Sequence, residues 1–90
     1  MDKIEEGMIL VNENNNDIIL INSRLKIHQG MTFILFVKLD DINVGIPPKL
    51  YSKFEETILR EYRLATIKEV EVYVKTKICN LLKILTPKDI

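Results

Sequence analysis

The first 41 residues alternate short apolar runs with polar breaks, and the remainder changes to a helical pattern. Ile18–Ile21 and Met31–Val37 are rich in β-branched and aromatic residues, which is typical of strands. The cluster Asn12–Asp17 predicts a hairpin loop, and Gly30 predicts a second turn. This half of the chain therefore predicts antiparallel strands, in the manner of a meander, and a polar break between two of them at Asn22-Ser23.

The run Met31–Val37 is apolar at nearly every position rather than at alternate ones. Strands of this kind are usually covered on both faces. Ile42–Ile46 alternates and stops at Pro47-Pro48, which predicts one more strand. Asp40-Asp41 also suits a two-residue turn that would pair Phe33–Leu39 with this strand inside the same chain. The sequence leaves open whether the strand pairs within the chain or with a second copy.

The pattern after the two prolines predicts two helices. Pro48 suits a first helical turn, and apolar residues then recur at a period of about 3.6 residues. Thr66 followed by Glu69 is a capping box and predicts the start of the second helix, which ends at Thr86-Pro87. The first stripe comprises Leu50, Tyr51, Phe54, Ile58 and Leu59, and the second comprises Ile67, Val70, Val74, Ile78, Leu81 and Leu85.

The second helix has more apolar positions than the first helix can cover. Tyr73, Leu82, Val72 and Cys79 widen its stripe. Leaving four large apolar side chains in water would cost about 1.5–3 kcal/mol each. We therefore expect the sheet or another chain to cover this surplus face.

Length and composition restrict the class of protein. Ninety residues with 13 basic and 13 acidic side chains predict one domain over residues 1–90, with a β-rich part over 1–41. A single cysteine excludes an internal disulfide, and no apolar run approaches the roughly 20 residues of a membrane span. The first residues lack a basic segment followed by an apolar one, so we expect no secretory signal and a cytoplasmic protein.

The charge is unevenly distributed along the chain. Residues 1–41 carry 4 basic and 7 acidic side chains, whereas residues 42–90 carry 9 and 6. A mildly basic half is compatible with phosphate contact, although ordinary solvated faces are the favoured explanation.

The sequence has few residues in arrangements that suit catalysis or metal binding. His28 and Cys79 are the only residues of their types and lie far apart, so no metal site is expected. The adjacent pairs Glu5-Glu6, Asp40-Asp41 and Glu55-Glu56 have diverging side chains, which does not suit paired acid and base catalysis. The glycines are scattered and form no phosphate loop. We expect a protein that is not an enzyme and has no cofactor.

Residues 42–85 resemble the ribbon-helix-helix family of dimeric DNA-binding proteins. The resemblance consists of an alternating strand ending in proline, a Leu-Tyr-x-x-Phe-Glu helix start at Leu50, and a capped second helix at Thr66. It implies that the strand pairs with that of a second copy and enters the major groove of DNA.

The resemblance also implies roles for particular residues. Asn43, Gly45 and Asp41 would face the bases, with Asn43 as an adenine reader. Thr66, Ile67 and Lys68 would hold a phosphate at the start of the second helix. The interface with a second copy or another partner would comprise Val44, Ile46, Val70, Tyr73, Val74, Ile78 and Leu81.

The predicted fold class is α+β, with N-terminal antiparallel strands followed by a strand-helix-helix unit of ribbon-helix-helix type. The function implied by the resemblance is transcriptional regulation by a small homodimer bound to duplex DNA. The alternative is a non-catalytic accessory subunit that binds protein through its surplus apolar helix face, within a larger complex such as one that processes nucleic acid.

Overall fold

The computed structural model describes residues 3–41 and 47–85, with their side chains except those of His28 and residues 77–85. Two 3₁₀ turns, His28–Gly30 and Leu39–Asp41, follow the second and third strands. In chain order the other elements are β1 (Ile9–Asn12), β2 (Ile18–Lys26), β3 (Thr32–Lys38), β4 (Leu50–Phe54), α1 (Glu55–Glu61), β5 (Tyr62–Leu64) and α2 (Ile67–Leu85).

The five strands form one antiparallel sheet in the order β4-β3-β2-β1-β5. The first four strands are a meander in which each pairs with the next, and β5 then pairs with the free side of β1. The short helix α1 contacts β3, β4 and β5, although β4 and β5 are the opposite edges of the sheet. A seven-residue helix is only about 10 Å long, so the sheet must curl around α1 to bring both edges to it.

The predicted hairpin loop between β1 and β2 is confirmed. The side-chain oxygen of Asn12 accepts a hydrogen bond from the Asn14 N–H, and that of Asn15 accepts one from the Asp17 N–H, both at 2.9 Å. Asn16 adopts a φ of 61°, a left-handed conformation that asparagine tolerates better than most residues. These side chains replace ladder hydrogen bonds where the chain reverses.

The polar break predicted at Asn22-Ser23 is a bulge inside one continuous strand. The pairing of β2 with β3 shifts register between Ile21 and Ser23, which leaves one extra residue in β2. The strand then continues to the predicted turn, which is confirmed at Gly30, where φ is +76°. A positive φ of this kind favours glycine because other residues have a Cβ clash there.

One face of the sheet forms the hydrophobic core together with α1. The β2–β3 register places Ile19 beside Lys38, and Ile21 beside Phe36, on this face. Ile58 of α1 is fully buried against it. The core cluster comprises Ile4, Leu10, Ile19, Ile21, Ile34, Phe36, Ile58 and Tyr62.

The prediction of a helix beginning near Pro48 is wrong in its first half. Residues Leu50–Phe54 form β4, and only Glu55–Glu61 are helical. β4 pairs with β3, and the pairing stacks Phe54 on Phe33 with ring centroids 4.4 Å apart. The residues of β4 alternate between exposed and half-buried, so the same apolar positions that suit a helix also suit a strand. Long-range pairing with β3 decides between the two.

The predicted fold class is therefore wrong. A ribbon-helix-helix unit has one strand followed by two helices, whereas the C-terminal half of this chain contributes β4 and β5 to the same sheet as the meander. The short link predicted at Arg63–Ala65 is largely the strand β5. The structure is a small α+β fold with a five-stranded antiparallel sheet and two helices.

The predicted ribbon strand Ile42–Ile46 lies outside the described residues. The strand suggested as its partner within the chain, β3, has neighbours on both sides. It pairs with β2 on one side and with β4 on the other over Phe33–Val37.

The structure is elongated because α2 extends from the sheet. The Cα radius of gyration is 15.5 Å, against about 12 Å expected for a compact chain of this length. The extents along the principal axes are 59 × 26 × 19 Å. A 19-residue helix is about 28 Å long, which accounts for much of the longest dimension.

Candidate functional site

Residues 3–41 and 47–85 contain no group of three histidine, cysteine, aspartate or glutamate side chains placed to hold a metal ion. None of the helices in these ranges combines the length and the apolar character needed to cross a membrane. The surface features that stand out are apolar, and they involve α2 and the side of the sheet opposite the core.

The start of α2 is fixed by a capping box, as predicted. The Thr66 N–H donates to a carboxylate oxygen of Glu69 at 2.8 Å, and the Glu69 N–H donates to the Thr66 hydroxyl at 3.1 Å. Arg63 of β5 donates to both carboxylate oxygens of Glu69 at 2.8 and 2.9 Å. The hydrogen bonds from Arg63 lower the pKa of Glu69 to about 2. This bidentate pair fixes the first turn of α2 to the edge strand.

We expect the replacement Glu69→Gln to reduce the stability of the start of α2 near neutral pH. The pKa of Glu69 is about 2 in the folded protein, against an ordinary value of 4.5. Its carboxylate therefore stabilises the folded state fully above the ordinary value, and this contribution is lost as the pH falls toward the folded value. Urea unfolding followed by circular dichroism should show a gap between wild type and variant that closes on acidification. Glu71→Gln, at an exposed position of α2, is the control, and a gap independent of pH would contradict the prediction.

A groove of about 740 Å³ lies between the first half of α2 and the β1–β2 hairpin. Val11 and Ile18 line it on the sheet side, and Val72 and Tyr73 line it on the helix side. The Tyr73 hydroxyl donates a hydrogen bond to the carbonyl oxygen of Leu39, which ties the second turn of α2 to the end of β3. Burial raises the pKa of the Tyr73 phenol.

The apolar stripe of α2 faces away from this groove. We define the α2 stripe as Ile67, Val70 and Val74, which continues by helical position to Ile78, Leu81 and Leu85. Its spacing follows a period of about 3.6 residues, so it is straight along the helix. Ile67 is 80% exposed and Val74 is 43% exposed. The side of α2 that lines the groove instead carries Glu69, Val72, Tyr73 and Thr76.

A second apolar surface lies on the sheet face opposite the core. Side chains in register share a face of the sheet, and neighbours along a strand alternate. On this side of the sheet, one row at Arg63, Val11 and Ile18 lies beneath the first half of α2. We define the outer sheet face as the rest of this side, which has one row at Ile9, Leu20, Val37 and Leu50. A second row consists of Leu25, Phe33 and Phe54, and between the two rows lie Ser23, Leu35 and Ser52.

The outer sheet face is exposed at Leu25 and along the edge strand β4, and it is half-buried at the other described positions. Leu25, Leu50 and Phe54 are 43–49% exposed. None of the side chains in its three rows is charged. An exposed apolar patch of this kind marks a site of interaction in soluble proteins.

The outer sheet face was not predicted from the sequence, although one feature of the sequence indicates a covered outer side. The run Met31–Val37 predicted a strand covered on both faces. In the structure one side of β3 is core, and Phe33 and Leu35 on the other side are half-buried. Because residues 50–54 were interpreted as a helix, Leu50 and Phe54 were not predicted to lie on this face of the sheet.

Of the residues predicted to contact DNA, Asp41, Thr66, Ile67 and Lys68 lie in the described part of the chain. Asn43, Gly45, Val44 and Ile46 lie outside the described residues. The Asp41 carboxylate accepts a hydrogen bond from the Tyr51 hydroxyl at 3.0 Å, and this bond raises the pKa of Tyr51.

The start of α2, predicted to hold a phosphate, already holds a carboxylate. The Thr66 N–H binds the Glu69 carboxylate, and an anion at the same place would meet its negative charge. Lys68 lines the groove together with Thr66, whereas Ile67 belongs to the α2 stripe on the other side.

The predicted partner residues of α2 divide between its two sides. Val70 is half-buried and Val74 is exposed, both on the α2 stripe. Tyr73 lines the groove on the opposite side. Ile78 and Leu81 continue the stripe by position.

No protein family, characterised protein or solved structure matches this chain. We therefore infer a function from the surfaces of the protein.

Another polar cluster lies on the core side of the sheet. Arg24 of β2 donates to both oxygens of the Glu55 carboxylate at 2.9 and 3.2 Å. The Ile4 N–H donates to the same carboxylate at 3.1 Å. These bonds join the N-terminal segment, β2 and α1. The role of the cluster is to hold the fold together.

Proposed function

We propose that this chain is a non-catalytic protein-binding subunit that contacts its partner through the α2 stripe and the outer sheet face. The observation that carries the proposal is the orientation of α2. One side of α2 lines the groove, whereas Ile67 and Val74 of its apolar stripe are 80% and 43% exposed.

The contacts at the start of α2 support this orientation. The Arg63–Glu69 pair and the Tyr73–Leu39 hydrogen bond lie on the side of α2 that faces the sheet. Turning the stripe toward its own sheet would break both contacts. The apolar side chains of the stripe are therefore available to another molecule.

The energetics point in the same direction. Burial of a large aliphatic side chain contributes about 1.5–3 kcal/mol, and the total stability of a domain is only about 5–15 kcal/mol. Ile67, Val74 and the exposed residues of the outer sheet face contribute little in the isolated chain. A partner that covers them would recover this contribution.

The regulator function lacks comparable support. It depended on a ribbon-helix-helix unit, and the structure has a different fold in that part of the chain. DNA binding stays a prediction from the sequence. At the start of α2, where the resemblance implied a phosphate site, the Thr66 N–H already binds the carboxylate of Glu69.

Site-specific photocrosslinking tests the proposal. A photoreactive amino acid at position 74, on the α2 stripe, should crosslink to one protein in the cells from which the gene comes. Position 72 is the matched control because it carries the same residue type on the same helix, is 57% exposed, and faces the groove. Crosslinks of equal yield from both positions, or none from position 74, would contradict the proposal.

A further inference from the structure

We propose that the partner is a second copy of this chain, with α2 of each copy lying across the outer sheet face of the other. This inference rests on the proposed function, since it names the molecule that covers the same surfaces. It would produce a two-fold symmetric dimer with two equivalent helix-on-sheet contacts.

The chain carries two unpartnered apolar surfaces of complementary shape. The α2 stripe is a straight ridge along a helix, and the outer sheet face is a broad surface on β2, β3 and β4. Three strands span about 14 Å, which accommodates one helix of about 10 Å diameter. A foreign helix on the sheet would leave the α2 stripe exposed. A second copy covers both surfaces at once.

The stripe cannot reach the outer sheet face of its own chain without loss of other contacts. Arg63 and Tyr73 hold the groove side of α2 toward the sheet in its first two turns. Ile67 and Val74 of the stripe are 80% and 43% exposed in this arrangement. The contact between stripe and sheet must therefore form between two molecules.

Charge does not oppose the association of identical copies. The outer sheet face has only Ser23 and Ser52 as polar side chains, so no charge loses its hydration when it is covered. The stripe positions are apolar throughout. The chain has equal numbers of acidic and basic residues, so two copies do not repel each other through net charge.

The area is sufficient for a dimer. A contact about 14 Å wide and 20 Å long covers about 280 Å² on each side, and a reciprocal dimer contains four such surfaces. The total of about 1,100 Å² lies at the lower end of the range for specific interfaces, which starts at about 1,000–1,200 Å². One helix-on-sheet contact alone would fall below that range, which favours the reciprocal arrangement.

Sedimentation of the full chain and of two complementary variants tests this inference. The wild type should sediment as a dimer at micromolar concentration. A sheet variant, Leu25→Lys with Leu50→Lys, and a helix variant, Ile67→Glu with Val74→Glu, should each dimerise at least about 100-fold more weakly, because each would bury charges without partners.

Mixing the two variants should restore a dimer. The α2 stripe of the sheet variant is unchanged and fits the unchanged sheet of the helix variant. In the other contact, introduced lysines meet introduced glutamates. Val72→Glu, on the groove side of α2, is the control and should remain dimeric.

Several results would overturn the inference. A sheet variant that dimerises as well as wild type would indicate helix-to-helix association, and a mixture that stays monomeric would exclude the reciprocal contact. Circular dichroism checks that each variant is folded. If the sheet variant with lysines unfolds, Leu25→Ser with Leu50→Ser takes its place.

The same experiments separate this inference from the proposed function. A monomeric wild type whose position 74 crosslinks to a different protein would overturn the dimer and leave the protein-binding function intact. A monomeric wild type with no crosslink from position 74 would overturn both.

Discussion

Replacement of Phe36 by alanine should lower the free energy of unfolding by about 3–5 kcal/mol. Phe36 is 1% exposed and lies in the core between Ile21 of β2 and Tyr51 of β4. Its ring stacks on Tyr51 with centroids 5.7 Å apart. A domain of this size has a total stability of about 5–15 kcal/mol, so the loss is a large part of the whole. Urea unfolding followed by circular dichroism measures it.

Phe33→Ala is the matched control for this prediction. Phe33 lies on the same strand but on the outer sheet face, where it stacks on Phe54. Loss of an aromatic pair costs about 0.5–1.5 kcal/mol beyond the area it buries, so the monomer should be less affected than by Phe36→Ala. Equal losses at concentrations where the chain is monomeric would show that the two faces of β3 have been assigned the wrong way round.

The sequence predicted the local features of the fold because neighbouring residues determine them. The Asn-rich loop, the turn at Gly30 and the capping box of Thr66 and Glu69 each depend on side chains within a few positions of one another. Hydrogen bonds between a side chain and a nearby backbone group form whatever the rest of the chain does. These three predictions are confirmed.

The predictions failed where pairing between distant residues decides the structure. Apolar positions at Leu50, Tyr51 and Phe54 fit both a helix and a strand that alternates. β5 has only three residues, too few to show a period, and its partner β1 lies some fifty positions earlier in the chain. No local pattern distinguishes such a strand from a link between helices.

The candidate site also combines features that local sequence determines with features that depend on distant contacts. The period of the α2 stripe could be predicted from the sequence, since it depends on helical spacing alone. The exposure of Ile67 and Val74 could not, because it depends on which side of α2 the Arg63–Glu69 pair holds against the sheet. The outer sheet face required the register of β2, β3 and β4.

The outer sheet face and the α2 stripe together account for the near-continuous apolar sequence of β3, of which only one side lies in the core. Its sequence is that of a strand covered on both sides, yet among the described residues the outer side of β3 is only half-buried. The proposed reciprocal dimer would supply a second layer over this side. A strand exposed on one side would be expected to alternate, and the near-continuous apolar run is what a covered outer face requires.

Replacement of Glu55 by alanine should lower the free energy of unfolding by about 2–3 kcal/mol. The Glu55 side chain is 15% exposed and accepts hydrogen bonds from Arg24 and from the Ile4 N–H. Without it, a charge and a backbone donor next to the buried Ile4 lose their partner. Glu56→Ala, at the exposed neighbouring position, is the control and should have little effect.

The pH dependence provides an independent check on Glu55. The hydrogen bonds from Arg24, and then the one from Ile4, lower the pKa of Glu55 below its ordinary value. A group whose folded pKa is lowered stabilises the folded state above its unfolded pKa, and this stabilisation is lost as the pH falls through the folded value. The difference in unfolding free energy between wild type and Glu55→Gln should therefore be largest near neutral pH and should shrink on acidification. A difference that grows as the pH falls would show that Glu55 is not paired with Arg24, and the link between β2, α1 and the N-terminal segment would then have to come from apolar packing alone.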